Sequence, residues 1–199
     1  MTGGSSSGGS SSGGGGTGRV VLVGGGVRSG KSRFALARAR SLGARRGFVA
    51  TGQAFDAEMA ARIAEHQRTR DADFATFEEP IALTARLHAL PALDVVVVDC
   101  LTLWLSNLML ADHTVAQITA RIDELVGALL DRPFHTILVT NEVGMGIVPE
   151  TALGRAFRDL AGIAHQRLAA IADEVYLAAL GCVLRLRPAP VELATEVAA

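Results

Sequence analysis

Gly25-Gly26-Val27-Arg28-Ser29-Gly30-Lys31-Ser32 follows the short apolar run Arg19-Val20-Val21-Leu22-Val23, and its spacing is G-x-x-x-x-G-K-S. A strand that delivers such a loop, followed by a helix, forms a phosphate cradle. The glycines allow backbone N–H groups to close on phosphate oxygens, Lys31 reaches the β- and γ-phosphates, and Ser32 offers a hydroxyl to Mg²⁺. A helix predicted over Ser32–Ala44 points its positive end at the same anion. This pattern therefore predicts an α/β chain built on a P-loop that binds a nucleoside triphosphate.

The remaining apolar runs agree. Strand-like segments recur at Arg19–Val23, Gly47–Thr51, Val95–Asp99, Thr136–Thr140 and Glu174–Ala179, with helical patterns between them. Such alternation predicts a mostly parallel sheet flanked by helices. Val95-Val96-Val97-Val98 lacks polar alternation, as a strand buried on both faces does. Cys182–Arg187, after Gly181, predicts an antiparallel edge hairpin with the preceding strand. Helices are predicted over Asp56–Arg70, Thr114–Leu130 and Thr151–Ala172.

Residues 1–18 are almost all Gly, Ser and Thr, which cannot offset chain entropy by burial and predict a flexible tail. The rest is long enough for one domain, over 19–187, with 188–199 as a C-terminal tail after Pro188 and Pro190 interrupt regular structure. A net charge of −1 provides no basic face for nucleic acid. The longest apolar stretch, Leu101–Ala111, is too short to span a bilayer. Cys100 and Cys182 lack metal-ligand spacing and predict two buried thiols in a reduced, cytoplasmic compartment.

Three places could carry chemistry beyond the loop. Asp99 ends the central strand, where P-loop proteins hold a Walker B carboxylate near Mg²⁺, although a helix cap before Leu101-Thr102-Leu103 has the same local signature. His66 lies among Arg62, Arg68 and Arg70. Arginines pair with phosphate and keep a neighbouring imidazole neutral, which suits attack on an α-phosphorus, while a solvated helix face is the plainer reading. Asn141 and Glu142 open the loop Thr140–Glu150 beyond a strand end, where open α/β sheets bind ligands, although its glycines and proline also shape turns. His88, His113, His135 and His165 read as structural or exposed.

The phosphate loop, Ala50-Thr51-Gly52, Asp56-Ala57-Glu58-Met59 with Arg62-Ile63 and His66, and the run from Thr140 to Pro149 with Arg158-Asp159 resemble one family. It is the bifunctional adenosylcobinamide kinase/adenosylcobinamide-phosphate guanylyltransferases of cobalamin biosynthesis, and the likeness runs from about Val20 to Arg187. The resemblance implies a RecA-like P-loop fold and a homotrimer. It also implies two reactions, phosphorylation of adenosylcobinamide by ATP or GTP, then transfer of GMP from GTP to adenosylcobinamide phosphate. His66 becomes the guanylylated nucleophile. Nucleotide contacts map onto Gly25, Gly26, Val27, Arg28, Ser29, Gly30, Lys31 and Ser32, onto Ala50, Thr51 and Gly52, onto Gln67, Arg68, Thr69 and Arg70, and onto Glu78 and Asp99. Ser32 and Asp99 become the Mg²⁺ ligands. The chain departs from many relatives at Gln67 and Asp71. A kinase for another small alcohol, lacking the guanylyl step, and a regulatory nucleotide switch are the competing readings.

Overall fold

A computed structural model describes residues 18–53 and 73–188. Seven strands form one sheet: β1 (Val20–Gly25), β2 (Arg46–Ala50), β3 (Phe74–Glu78), β4 (Val95–Asp99), β5 (His135–Asn141), β6 (Glu174–Ala179) and β7 (Cys182–Arg187). Their order is β3-β2-β4-β5-β1-β6-β7, and every pairing is parallel except β6 with β7. The helices are α1 (Lys31–Arg40), α2 (Leu83–His88), α3 (Leu101–Leu110), α4 (Val115–Leu130) and α5 (Ala152–Ile171).

Period-two alternation splits the apolar strands between two cores. Val20, Leu22, Val96, Val98 and Leu138 pack under the layer that holds Trp104, Leu108, Ile122 and Leu160. Val21, Val23, Val95, Val97, Ile137 and Val139 face Ala35 and Ala39 of α1. The unbroken valines of β4 are thus buried on both faces, as a parallel sheet with helical cover requires. Trp104 is fully buried and donates its indole N–H to the carbonyl of Ile81 at 2.9 Å, so burial leaves no orphaned donor.

Helix ends follow local chemistry. Thr114 and Gln117 close a reciprocal capping box on α4, and the Thr151 hydroxyl accepts from Gly154 N–H at the start of α5. The helix predicted to reach Ala44 stops at Arg40 instead. Asp94 accepts from the backbone N–H groups of Ala44 and Arg45 at 3.0 and 2.9 Å and so pulls the chain into a turn. β1 runs on to Gly25, two residues beyond the predicted strand, because it stays in register with β5. β3 has no counterpart among the predicted strands. Only Phe74 in it is buried, and an edge strand that buries one residue has little hydrophobic signature. Cys182 is exposed on the edge strand β7, which corrects the expectation of two buried thiols.

The opposite end of the sheet is pinned by charge. Glu174 accepts hydrogen bonds from the Arg38 guanidinium and, at 2.8 Å, from the Tyr176 hydroxyl, and pairs with Arg19 at 3.3 Å. Gly18 is buried, and its N–H and carbonyl are both held by Arg132, through its backbone carbonyl and its guanidinium respectively.

Candidate active site

Parallel strands present all their carboxyl ends on one side, and the chemically distinctive residues collect there. Gly25 ends β1, the loop turns through Arg28 and Gly30 at φ 55° and 95°, and α1 begins at Lys31. Gly30 caps α1 with no side-chain acceptor, which leaves first-turn N–H groups turned toward the loop's interior. Lys31 is 9% exposed, and its ammonium donates back to the carbonyl of Gly26 at 3.1 Å. The Ser29 hydroxyl is buried inside the same loop with no hydrogen-bond partner among the described residues. A Cβ on Gly25 would lie 2.5 Å from the carbonyl oxygen of Ala178 and 2.7 Å from Ser29 Oγ. An inward-turned lysine, an orphaned hydroxyl and a glycine packed too tightly for any side chain fit a cradle for phosphate oxygens.

β5 lies between β1 and β4, so the P-loop and Asp99 stand two strand spacings apart, about 10 Å. Asp99 ends β4, half-buried, one residue before α3. The N-cap of α3 is Cys100, with no side-chain capping hydrogen bond, so Asp99 does not serve that helix as a cap. Thr51 fixes this strand end. Its N–H donates to the Asp99 carbonyl at 3.2 Å, its hydroxyl exchanges bonds with the Cys100 backbone at 2.7 and 2.8 Å, and its carbonyl accepts from Asn107 at 2.7 Å. Thr51 is fully buried, and in this structure its polar groups serve the backbone that carries Asp99. Burial, and then the neighbouring charge of Asp99, push the Cys100 thiol up to about 11, which leaves it protonated and unreactive.

Beyond β5 the predicted ligand loop is built by α5. Glu142 N–H donates to the Gly25 carbonyl at 3.1 Å, joining this loop to the entry of the phosphate cradle. The Glu142 carboxylate accepts from Gly144 N–H at 2.5 Å and lies 3.6 Å from Nδ1 of His165. Nε2 of His165 bonds the buried Thr140 hydroxyl at 2.7 Å. Burial lowers the His165 pKa below the ordinary imidazole value, with Glu142 pulling the other way, so the ring is neutral at pH 7. Arg158 donates to the Gly144 carbonyl at 2.9 Å and Arg155 to the Glu150 carbonyl at 2.7 Å. His165, read from sequence as structural, thus touches the ligand loop. The available signal was a histidine set beside the buried stripe Ala161, Ala164 and Leu168.

Gly25 to Ser32, Ala50 to Gly52 and Asp99 share one edge of the sheet. Glu78 ends β3 in register with Ala50, on the same side at the sheet's margin. His66 and Gln67, Arg68, Thr69 and Arg70, with the helix predicted over Asp56–Arg70, lie outside the described residues.

Residues 21–186 match the family described as cobinamide kinase / cobinamide phosphate guanyltransferase. The bifunctional adenosylcobalamin biosynthesis protein CobP of Pseudomonas aeruginosa is 42% identical over 170 residues, which is 85% of this chain and 98% of that protein. The bifunctional CobU proteins of Escherichia coli and Salmonella typhimurium are 39% and 40% identical over 181 residues, each over 84% of this chain and 99% of the relative. The crystal structure of the RadB recombinase superposes with a TM-score of 0.44 at 16% identity, over 80% of this chain and 73% of that one.

Proposed function

This chain belongs to the cobinamide kinase / cobinamide phosphate guanyltransferase family, a family of enzymes, and we propose that it performs both reactions on adenosylcobinamide. The observation that carries this reading is the phosphate cradle of Gly25–Ser32, with its orphaned Ser29 hydroxyl, on the same edge as Asp99, within a match that spans nearly the whole fold.

In the first reaction Lys31 and the loop amides hold the β- and γ-phosphates of ATP or GTP, and the aminopropanol hydroxyl of adenosylcobinamide attacks the γ-phosphorus. Asp99 and the Ser32 hydroxyl are hard oxygen donors of the kind that hold Mg²⁺ together with water and phosphate. A Mg²⁺ held there would supply charge neutralisation for the transferring phosphoryl group. In the second reaction His66 attacks the α-phosphorus of GTP, pyrophosphate leaves, and GMP stays on the ring as a phosphoramidate. The phosphate of adenosylcobinamide phosphate then displaces the histidine and yields adenosylcobinamide-GDP. Ala50 to Gly52, Gln67 to Arg70 and Glu78 are the further nucleotide contacts of this reading, and a homotrimer in the cytoplasm is its assembly and place. Among the described residues no helix is long and apolar enough to cross a membrane.

Incubation with GTP labelled at the α-phosphorus tests the reading. An acid-labile protein adduct is expected, absent in His66→Asn, while that variant still phosphorylates adenosylcobinamide. Labelling that survives in His66→Asn would place the nucleophile elsewhere, and phosphorylation without any adduct in the natural protein would leave a kinase alone.

A further inference from the structure

We infer that Glu142 is the proton acceptor for the alcohol in the phosphorylation step, and that His165 is the residue that positions it. The inference rests on the kinase reading above. When the hydroxyl oxygen forms its bond to the γ-phosphorus, the bond from that phosphorus to the bridging oxygen breaks. The electron pair leaves on the nucleoside diphosphate, and the hydroxyl proton passes to a Glu142 carboxylate oxygen.

Four observations converge on this carboxylate. The Lys31 ammonium, which marks the β/γ-phosphate end of a P-loop, sits on the carbonyl of Gly26, and the carbonyl of the adjacent Gly25 receives the Glu142 N–H. Glu142 therefore stands, by direct backbone contact, at the phosphoryl-transfer end of the cradle. Its side chain is a quarter exposed, which leaves it accessible to an incoming alcohol. Asp99, two strands from the P-loop across β5, is taken by the metal in this reading, and Glu78 is at the far margin of the sheet. Lastly, the Glu142 carboxylate accepts from Gly144 N–H and is flanked, at 3.6 Å, by a histidine that is itself anchored on Thr140.

The anchoring admits the tautomer that helps. With Thr140 Oγ donating to Nε2, the remaining ring proton lies on Nδ1 and points at Glu142, which orients the carboxylate without neutralising it. Truncation of His165 frees the carboxylate to rotate, so its effect falls on turnover and not on nucleotide binding.

Steady-state phosphorylation of adenosylcobinamide by the full chain, with nucleotide affinity measured separately by calorimetry, tests the pair. Glu142→Gln keeps the acceptor for Gly144 N–H and loses the proton acceptor, and kcat is expected to fall by about 10²–10⁴ with nucleotide Kd unchanged within about threefold. His165→Ala is expected to lower kcat about tenfold at unchanged nucleotide KM. His165→Asn sets an amide N–H where Nδ1–H stood and is expected to recover most of that loss. A Glu142→Gln protein that turns over within about threefold of the natural chain overturns this inference and leaves the kinase reading intact. Equal loss of nucleotide affinity and turnover in Glu142→Gln overturns it in favour of loop shaping. A natural chain that does not phosphorylate adenosylcobinamide removes the kinase reading, and this inference with it.

Discussion

Gly25→Ala probes the phosphate cradle at the position where its geometry is least forgiving. The added methyl carbon would lie 2.5 Å from the Ala178 carbonyl oxygen, about 0.9 Å inside the 3.4 Å at which ordinary contact begins, and 2.7 Å from Ser29 Oγ. Ala178 belongs to β6, whose ladder with β1 spans Val21–Gly25, so neither partner can retreat without loosening the sheet. Overpacking of this kind costs about 1–3 kcal/mol. For a domain of this size that lowers Tm by roughly 2–12 °C. The same displacement moves the loop amides off their phosphate oxygens, and loss of one charge-assisted hydrogen bond weakens GTP binding about 10–100-fold. Thermal unfolding with and without GTP, and calorimetric titration of the nucleotide, read both effects. Gly26→Ala is the control, because a Cβ there meets nothing within 4 Å, and its stability is expected within about 0.5 kcal/mol of the natural chain. A Gly25→Ala protein with natural Tm and natural GTP affinity would refute the steric argument.

Asp99→Asn is expected to fold normally, since Asp99 caps no helix, and to lose about 10²-fold or more in phosphorylation rate at saturating nucleotide; a collapse of Tm with unchanged turnover per folded molecule would contradict this. Glu174→Gln is expected to destabilise the fold by about 1–3 kcal/mol at neutral pH, because Arg38 loses its charged partner. Burial pushes the Glu174 carboxyl up, but hydrogen bonds from Arg38 and Tyr176 outweigh it and hold it below the ordinary carboxylate range in the fold. A depressed folded value means stability fully present above the unfolded carboxyl's pKa and lost as pH falls through the lower folded one, so the difference between variant and natural chain closes in acid, as urea midpoints at neutral and acid pH will record. Deletion of residues 1–17 is expected to leave Tm unchanged, whereas deletion that also removes Gly18 and Arg19 breaks the bonds to Arg132 and His135 and lowers stability by about 1–3 kcal/mol.

The glycine-rich turn between β1 and α1 was legible because its residues are consecutive in sequence, from one glycine to the next. The same holds for the strands buried on two faces and for the capped helices α4 and α5. β3 was not, since Ala75 and Thr76 face solvent and only register with β2 makes them a strand. The end of α1 was set by Asp94, fifty residues away in the chain, which no local pattern records. Glu142 was marked by its place beyond a strand end. Its partner His165 lies 23 residues on, and only the packing of α5 against the sheet brings the two together. Thr51 reads in sequence as the end of a strand and, by resemblance, as a nucleotide contact, and its hydrogen bonds to the Cys100 backbone just past β4 appear only when the strands are side by side.

The sequence contains one tryptophan and one tyrosine, and the fold has put them on opposite faces of the sheet. Trp104 is sealed in the layer of α3, α4 and α5, and Tyr176 packs at a tilt against Phe34 of α1, ring centroids 4.7 Å apart, on the other side. The molecule thus carries two intrinsic optical reporters, one for each half of its hydrophobic interior. Red-edge excitation follows the indole alone, and near-ultraviolet dichroism follows both rings. Superimposed unfolding curves identify a single cooperative unit, and curves that separate reveal which layer opens first, with no label attached and no residue changed.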